Sequence, residues 1–227
     1  MKTVGIIGGL GPETTAEFYL DVVFSCQSKD RTHRPPVIIS SVPLPYQIEE
    51  NAIANNVGIE RFAPFLVKEA KRLEKAGADF IVMPCNSLHV FIDEIREAVN
   101  IPVLSIVEET VKFLKKKGHS RVGIVSTSAT IENKLYENAF LKEKIEFVCP
   151  NDLQQAKMGK IIHNLVSGIQ KNTDRDELDI VIASFSDVDC IVLACTDLQL
   201  LIPKVENLKI FDSMKIFSDV TVEIILN

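Results

Sequence analysis

The stretch "DFIVMPCNSLHVF" (Asp79–Phe91) returns later in the chain as "DCIVLACTDLQLL" (Asp189–Leu201). Cys85 and Cys195 stand 110 residues apart (195 − 85), and at that offset Asp79, Ile81, Val82 and Leu88 meet Asp189, Ile191, Val192 and Leu198. In each copy a short run rich in β-branched and apolar residues reads as a buried strand. Each run ends in a cysteine, a polar pair and a helical pattern. A parallel sheet receives its ligands beyond the carboxyl ends of its strands, and both cysteines fall there.

Strands and helices alternate on either side of these copies. "KTVGIIG" is a strand closed by glycine, and "PETTAEFYLDVVFSCQ" a helix with Pro12 near its first position. "PPVIISSV" is a strand. "IERFAPFLVKEAKRLEKAG" is an amphipathic helix with Pro64 in its first turns and Gly77 capping its end. "SLHVFIDEIREAV" reads as a helix and "IPVLSI" as a short strand. The second half restarts with "SRVGIVST", whose Val122-Gly123-Ile124 echoes Val4-Gly5-Ile6. "IEFVCP" is a strand, helices follow over about 151–169 and over "DRDELDIVIASF", and "NLKIFDS" echoes "NIPVLSI" before a last helix. This alternation predicts an α/β protein of two similar Rossmann-like lobes with mainly parallel sheets. The first lobe is expected over 1–104 plus 208–227, carrying Cys85, and the second over 105–207, carrying Cys195. With the lobes face to face, the site would lie in the cleft between them and the thiols would reach one ligand from opposite sides.

Composition narrows the function. A net charge of −6 argues against nucleic acid or an anionic membrane as the main partner. No run approaches the roughly 18 apolar residues of a membrane span. The apolar N-terminal run ends in glycines, which suit a strand and turn better than a signal peptide, so a cytoplasmic protein with reduced thiols is expected. The 5 cysteines show neither a disulfide framework nor zinc-type pairing. "GLGPET" has Thr14 where a dinucleotide fingerprint needs its third glycine, and no acidic residue closes a second strand about 20 residues on.

Two thiols at matching sites suit one chemistry in particular. Inverting a carbon beside a carboxylate needs a base on one face and an acid on the other. A thiolate and a thiol can supply both and exchange roles in the reverse direction. A helix start next to each cysteine would favour the thiolate and offer N–H groups to a carboxylate. Asn86, Ser87 and Thr196 add side-chain donors there. A lone strand-end cysteine is ordinarily core, and Cys26, Cys149 and Cys190 read that way. His89, one helical turn past Cys85, reads either as a further acid/base group or as a structural histidine. Glu13, Glu132 and Asp197 read as helpers in proton transfer or as helix-dipole partners.

These motifs resemble the aspartate/glutamate racemase family, and its aspartate racemase branch in particular. "IGGLGPETT" is similar to a Gly-Gly-Met-Gly-Pro loop, "PCNSLH" to Pro-Cys-Asn-Thr-x-His, and "ACTDL" to Gly-Cys-Thr-Glu-Leu. "STSAT" and "FDSMKI" resemble two further motifs of that branch. The resemblance implies amino-acid racemisation without pyridoxal phosphate, metal or other cofactor, and a homodimer. It implies Cys85 and Cys195 as the acid/base pair. Asn86, Ser87, Thr127 and Thr196 would hold the substrate's carboxylate and amino group, with the Gly9-Leu10 backbone lining the pocket. One position departs: in "LPYQIEENAI", Gln47 stands where the branch carries an arginine for an acidic side chain, and Val166 stands where it carries a lysine. A guanidinium grips a carboxylate in two places and an amide does not. Either the substrate side chain is not acidic, or another cation such as Arg61, Lys134 or Lys157 takes over. A hydantoin racemase, a maleate-type isomerase and a catalytically silent amino-acid-binding protein are the competing expectations.

Overall fold

The computed structural model describes residues 1–48, 58–201, 203, 205 and 208–227. The chain forms two compact units, Met1–Glu109 with Lys215–Asn227, and Thr110–Met214. Asn207, where the sequence reading ends the second lobe, and residues 49–53 of the segment around Gln47 lie outside the described residues.

In the first unit, β1 (Val4–Gly8) is flanked by β2 (Val37–Ser41) and β3 (Phe80–Val82), all parallel. β1 is buried along its whole length, as a strand covered on both faces must be. α1 (Pro12–Lys29) follows β1. A 3-10 turn (Ile59–Phe62) leads into α2 (Ala63–Lys75), so the single helix read over this stretch is two elements joined just before Pro64. Pro64 cannot donate a backbone hydrogen bond and is tolerated only in the first turn. α2 lays Leu66, Ala70 and Leu73 into the core below Ile7, Ile81 and Met83.

After β3 come a 3-10 turn (Ser87–Phe91), α3 (Ile92–Ala98) and α4 (Ile106–Lys116). The strand expected in "IPVLSI" shrinks to one bridge, Ile81 to Val103, with Ile81 N–H donating to the Pro102 carbonyl (2.8 Å). The reason is local. Pro102 has no N–H to extend the ladder, and the chain turns helical at Ile106.

The second unit repeats the plan. β4 (Arg121–Ser126) is followed by α5 (Ser128–Glu132), α6 (Leu135–Glu143), β5 (Glu146–Val148), α7 (Asp152–Val166), α8 (Asn172–Ala183), β6 (Cys190–Ala194) and β7 (Ile210–Asp212). The parallel sheet runs β5-β4-β6-β7, again with the unit's first strand between its second and third. A capping box, Asn151 with Gln154, starts α7. β7 pairs with β6 over three residues, from Ile191–Ile210 to Leu193–Asp212, where its counterpart makes one bridge. α9 (Ser213–Leu226) returns the chain to the first unit, where Lys2 N–H bonds the Ile225 carbonyl (2.9 Å).

Two echoed residue types explain themselves here. Asp79 accepts the Thr3 N–H (2.6 Å), and Asp189 accepts the N–H groups of Ser120 (2.7 Å) and Arg121 (3.0 Å). Each aspartate ties the start of its strand to the start of the neighbouring first strand, at the sheet edge away from the cysteines. Gly123 marks a close approach: a Cβ there would lie 2.8 Å from the Phe185 ring.

Candidate functional site

Each thiol sits just past the carboxyl end of the third strand of its unit, β3 or β6, and its neighbours differ. Cys195 is 5% exposed and packs with the second unit's core. It begins a 3-10 turn (Thr196–Leu200), its carbonyl accepts the Leu198 N–H (3.1 Å), and its Sγ–H donates to Asp197 Oδ2 (3.7 Å). A carboxylate placed there can take the thiol proton. Cys85 is half-buried against the first unit's core, with its N–H on the Met83 carbonyl (2.8 Å). The turn after it starts one residue later, at Ser87, with Asn86 as its cap. Both following elements are short 3-10 turns rather than the α-helices read from sequence. The helix-dipole assistance expected for the thiolates is therefore small, because few peptide dipoles align.

Gly9 and Leu10 lie past the end of β1, beside the Cys85 edge of the same sheet. Gly9 has φ 80°, and a Cβ there would run into Ser41 and come 3.1 Å from the Val42 nitrogen. Its N–H is already taken by Thr15 Oγ1 (2.9 Å), which in turn donates to the Gly11 carbonyl (3.0 Å). The loop is thus held by its own threonine, and Leu10 packs on the core cluster that includes Cys85. Gln47 is exposed in a helical turn past the end of β2. Asn86 and Thr196 are buried polar residues, 2% and 3% exposed, and Ser87 opens the turn after Cys85. Thr127 follows β4 and caps α5, accepting the Thr130 N–H (3.2 Å).

The first sheet's carboxyl edge therefore gathers Gly9, Leu10, Gln47, Cys85, Asn86 and Ser87. The second sheet's edge gathers Thr127, Cys195 and Thr196. Of the substitute cations, Arg61 and Lys157 are exposed. Lys134 pairs with Glu137 (3.8 Å), and both line a small cavity in the second unit together with Ser126, Thr130, Tyr136 and Cys149.

One neighbour of the thiols was not legible in the motifs, and another, His89, was legible there with two roles open. Tyr136 is buried, hydrogen-bonded to Thr110 and Ser213, and feels the charges of Asp212 and Cys195; burial pushes its hydroxyl pKa up, against those hydrogen bonds. It lies in none of the sequence motifs. His89 is the other. Its Nδ1 donates to the Cys85 carbonyl (2.6 Å), and its Nε2 accepts the Ile106 N–H (3.1 Å). With both nitrogens on backbone atoms, the neutral ring has none left for a substrate. Burial drives its pKa down to about 4.

The other thiols are held protonated. Burial raises the pKa of Cys26 and Cys149, and takes Cys190 up to about 12 with help from Asp189. None of the five cysteines forms a disulfide, and among the described residues no group of three His, Cys, Asp or Glu side chains could hold a metal. Among the same residues no helix is long and apolar enough to cross a membrane.

Known proteins share both sequence and fold with this chain. A broad-specificity amino-acid racemase of Bacillus subtilis is 27% identical over 96% of each chain. A glutamate racemase of Persephonella marina is 28% identical over 70% of this chain. The solved structure of an aspartate racemase homologue from Pyrococcus horikoshii superposes with a TM-score of 0.81 at 26% identity over 100% of both chains. That of Picrophilus torridus aspartate racemase does so with a TM-score of 0.80 at 25% identity, over 99% of this chain and 94% of that one. The sequence pattern of the Asp/Glu/hydantoin racemases matches residues 7–219, so the protein belongs to that family, with its two-lobed α/β fold.

Proposed function

We propose that this protein is a cofactor-independent amino-acid racemase that inverts Cα by two-base proton transfer between Cys85 and Cys195, with aspartate and glutamate as first substrates. The observation that carries the reading is the repeated placement of a cysteine past the carboxyl end of the third strand of each unit. In one direction the Cys85 thiolate removes the Cα proton while the Cys195 thiol supplies one to the opposite face; in the other the roles exchange. Asn86, Ser87 and Thr196, with the Gly9-Leu10 backbone, surround the carboxylate on which charge develops as the proton leaves. Asp197 serves as the local proton partner of Cys195.

A specific observation favours a second reading, a substrate whose side chain is not acidic. Gln47 offers an amide where a guanidinium would grip a carboxylate, and Val166 is an exposed apolar residue. The end-to-end likeness to a broad-specificity racemase supports it too. One experiment addresses both readings: Cα proton exchange in deuterated water over a panel of L- and D-amino acids, without added cofactor and with a reductant, followed by proton NMR and chiral chromatography. Inversion of aspartate or glutamate is the expected outcome of the first reading, and inversion of neutral or basic amino acids alone that of the second. Cys85→Ser and Cys195→Ser should each lower racemisation about 10³-fold or more. A Cys85→Ser/Cys195→Ser double variant with unchanged turnover would sink the mechanism.

We also propose association with a second copy through α1. This helix is apolar on its outer face as well as its inner one: Leu20 is 47% and Phe24 59% exposed. The exposed acidic Glu13 and Glu17 lie at its N-terminal end, and the exposed basic Lys29 and Arg31 lie at its C-terminal end. An antiparallel pair of α1 helices sets Leu20 against Phe24 of the copy and each acidic end against a basic one.

A further inference from the structure

We propose that His89 is a positioning residue for Cys85, holding the cysteine's carbonyl and thereby setting the direction in which its thiol leaves the backbone. The inference rests on the reading of Cys85 as an acid/base group.

The argument begins with a difference between the two copies of the motif. In the second unit the carbonyl of Cys195 is taken by a backbone donor, Leu198 N–H at 3.1 Å, and the cysteine itself caps the turn. In the first unit the turn starts one residue later, and the carbonyl of Cys85 receives an imidazole proton, His89 Nδ1 at 2.6 Å. The residue matching His89 in the second unit is Gln199 (89 + 110), whose side-chain nitrogen is buried with no hydrogen-bond partner among the described residues. The imidazole clamp therefore belongs to one thiol only.

The other ring nitrogen fixes the tautomer. Nε2 accepts the Ile106 N–H at 3.1 Å, so it carries no proton and Nδ1 must. Ile106 is the first residue of α4, so the ring connects the peptide after Cys85 to a helix start. That helix start is itself fastened: Arg96 holds Glu108 with two bonds of 2.9 Å and reaches the Val103 carbonyl (3.2 Å). The Phe217 ring packs edge-on to the imidazole, with centroids 6.4 Å apart. His89 is 2% exposed, so its low pKa agrees with a permanently neutral ring. Plain core packing would not need a polar ring joining two backbone atoms 21 residues apart (106 − 85). A displacement of about 1 Å in an acid/base group costs up to about 10²-fold in rate, so a carbonyl clamp is a sufficient device.

Two variants separate the two bonds. In His89→Asn the amide NH₂ sits near the place of Nδ1 and keeps the donor to Cys85. In His89→Gln the amide oxygen sits near the place of Nε2 and keeps the acceptor for Ile106. The readout is carboxamidomethylation of Cys85 and Cys195 by iodoacetamide, followed peptide by peptide in the intact folded protein. Alongside it runs the primary deuterium isotope effect for each enantiomer of the amino acid that exchanges fastest. His89→Gln should change the Cys85 alkylation rate about threefold or more with Cys195 unchanged, and raise the isotope effect for one enantiomer only. His89→Asn should stay near wild type in both. Equal behaviour of the two variants, or equal shifts at both cysteines, would overturn the inference. Alkylation needs no substrate, so failure of the clamp is read apart from failure of the racemase reading, which the cysteine variants test.

Discussion

A buried imidazole whose nitrogens both serve backbone atoms must stay neutral, because a proton on Nε2 would face the Ile106 N–H. The folded pKa of His89 lies at about 4 against 6.5 for the free side chain. Between those values the unfolded chain binds a proton that the folded chain refuses. Stability thus falls as pH drops from 6.5 towards 4, and what is lost is regained on raising the pH. Urea unfolding should show a loss of about 2 kcal/mol between about pH 7 and pH 5, with a flatter profile in His89→Asn. The Arg96 and Glu108 charges beside the ring oppose one another, so burial dominates. At the other thiol, Asp197→Asn removes the proton acceptor 3.7 Å from Cys195. It should lower kcat about 10²-fold without a matching rise in KM. The thiols and their polar followers were legible in the sequence because type and spacing repeat. The His89 clamp was not, since it depends on where a turn begins, which is one residue different in the two copies.

Among the elements, strands and helices were readable wherever apolar periodicity was long. β1, β4 and β6 are buried runs, and α2 shows one apolar face. Reading failed for the shortest strands. Only Val103 of "IPVLSI" bridges to β3, while its counterpart pairs over the three residues of β7. The turns after the cysteines looked like α-helices because side-chain spacing hardly separates a 3-10 turn from the first turn of a helix. Gly123 shows what the echoed first strands require. Gly123→Ala forces a methyl against Phe185 and should cost about 1–3 kcal/mol, measured by chemical denaturation. Asp189→Ala should lower the melting temperature, because it leaves the amides of Ser120 and Arg121 without their acceptor.

For the whole molecule, the apolar outer face of α1 makes a claim about mass. Sedimentation velocity should find a dimer at about 100 µM, and Phe24→Glu should yield a monomer with an unchanged circular dichroism spectrum. Glu13→Lys should weaken the dimer, and Glu13→Lys/Arg31→Glu should restore it. A wild-type monomer, or a Phe24→Glu dimer, would remove α1 as the interface. The division into two α/β units was visible in the repeat, whereas the exposure of Leu20 and Phe24 was not. A helix with apolar residues on two faces reads the same from sequence whether the second one meets the core or the outside.

The repeat at a separation of 110 residues also makes the protein its own matched control. Asp79 and Asp189, and His89 and Gln199, stand at that separation, while Gly5 with Gly123 (118 apart) and Pro102 with Lys209 (107 apart) match at their own, all built in one polypeptide and purified in one tube. A change at one member of a pair can be scored against its twin under identical solvent, temperature and labelling. Transplanting the difference, with Gln199→His or Pro102→Lys, asks which features belong to the plan and which to one half alone.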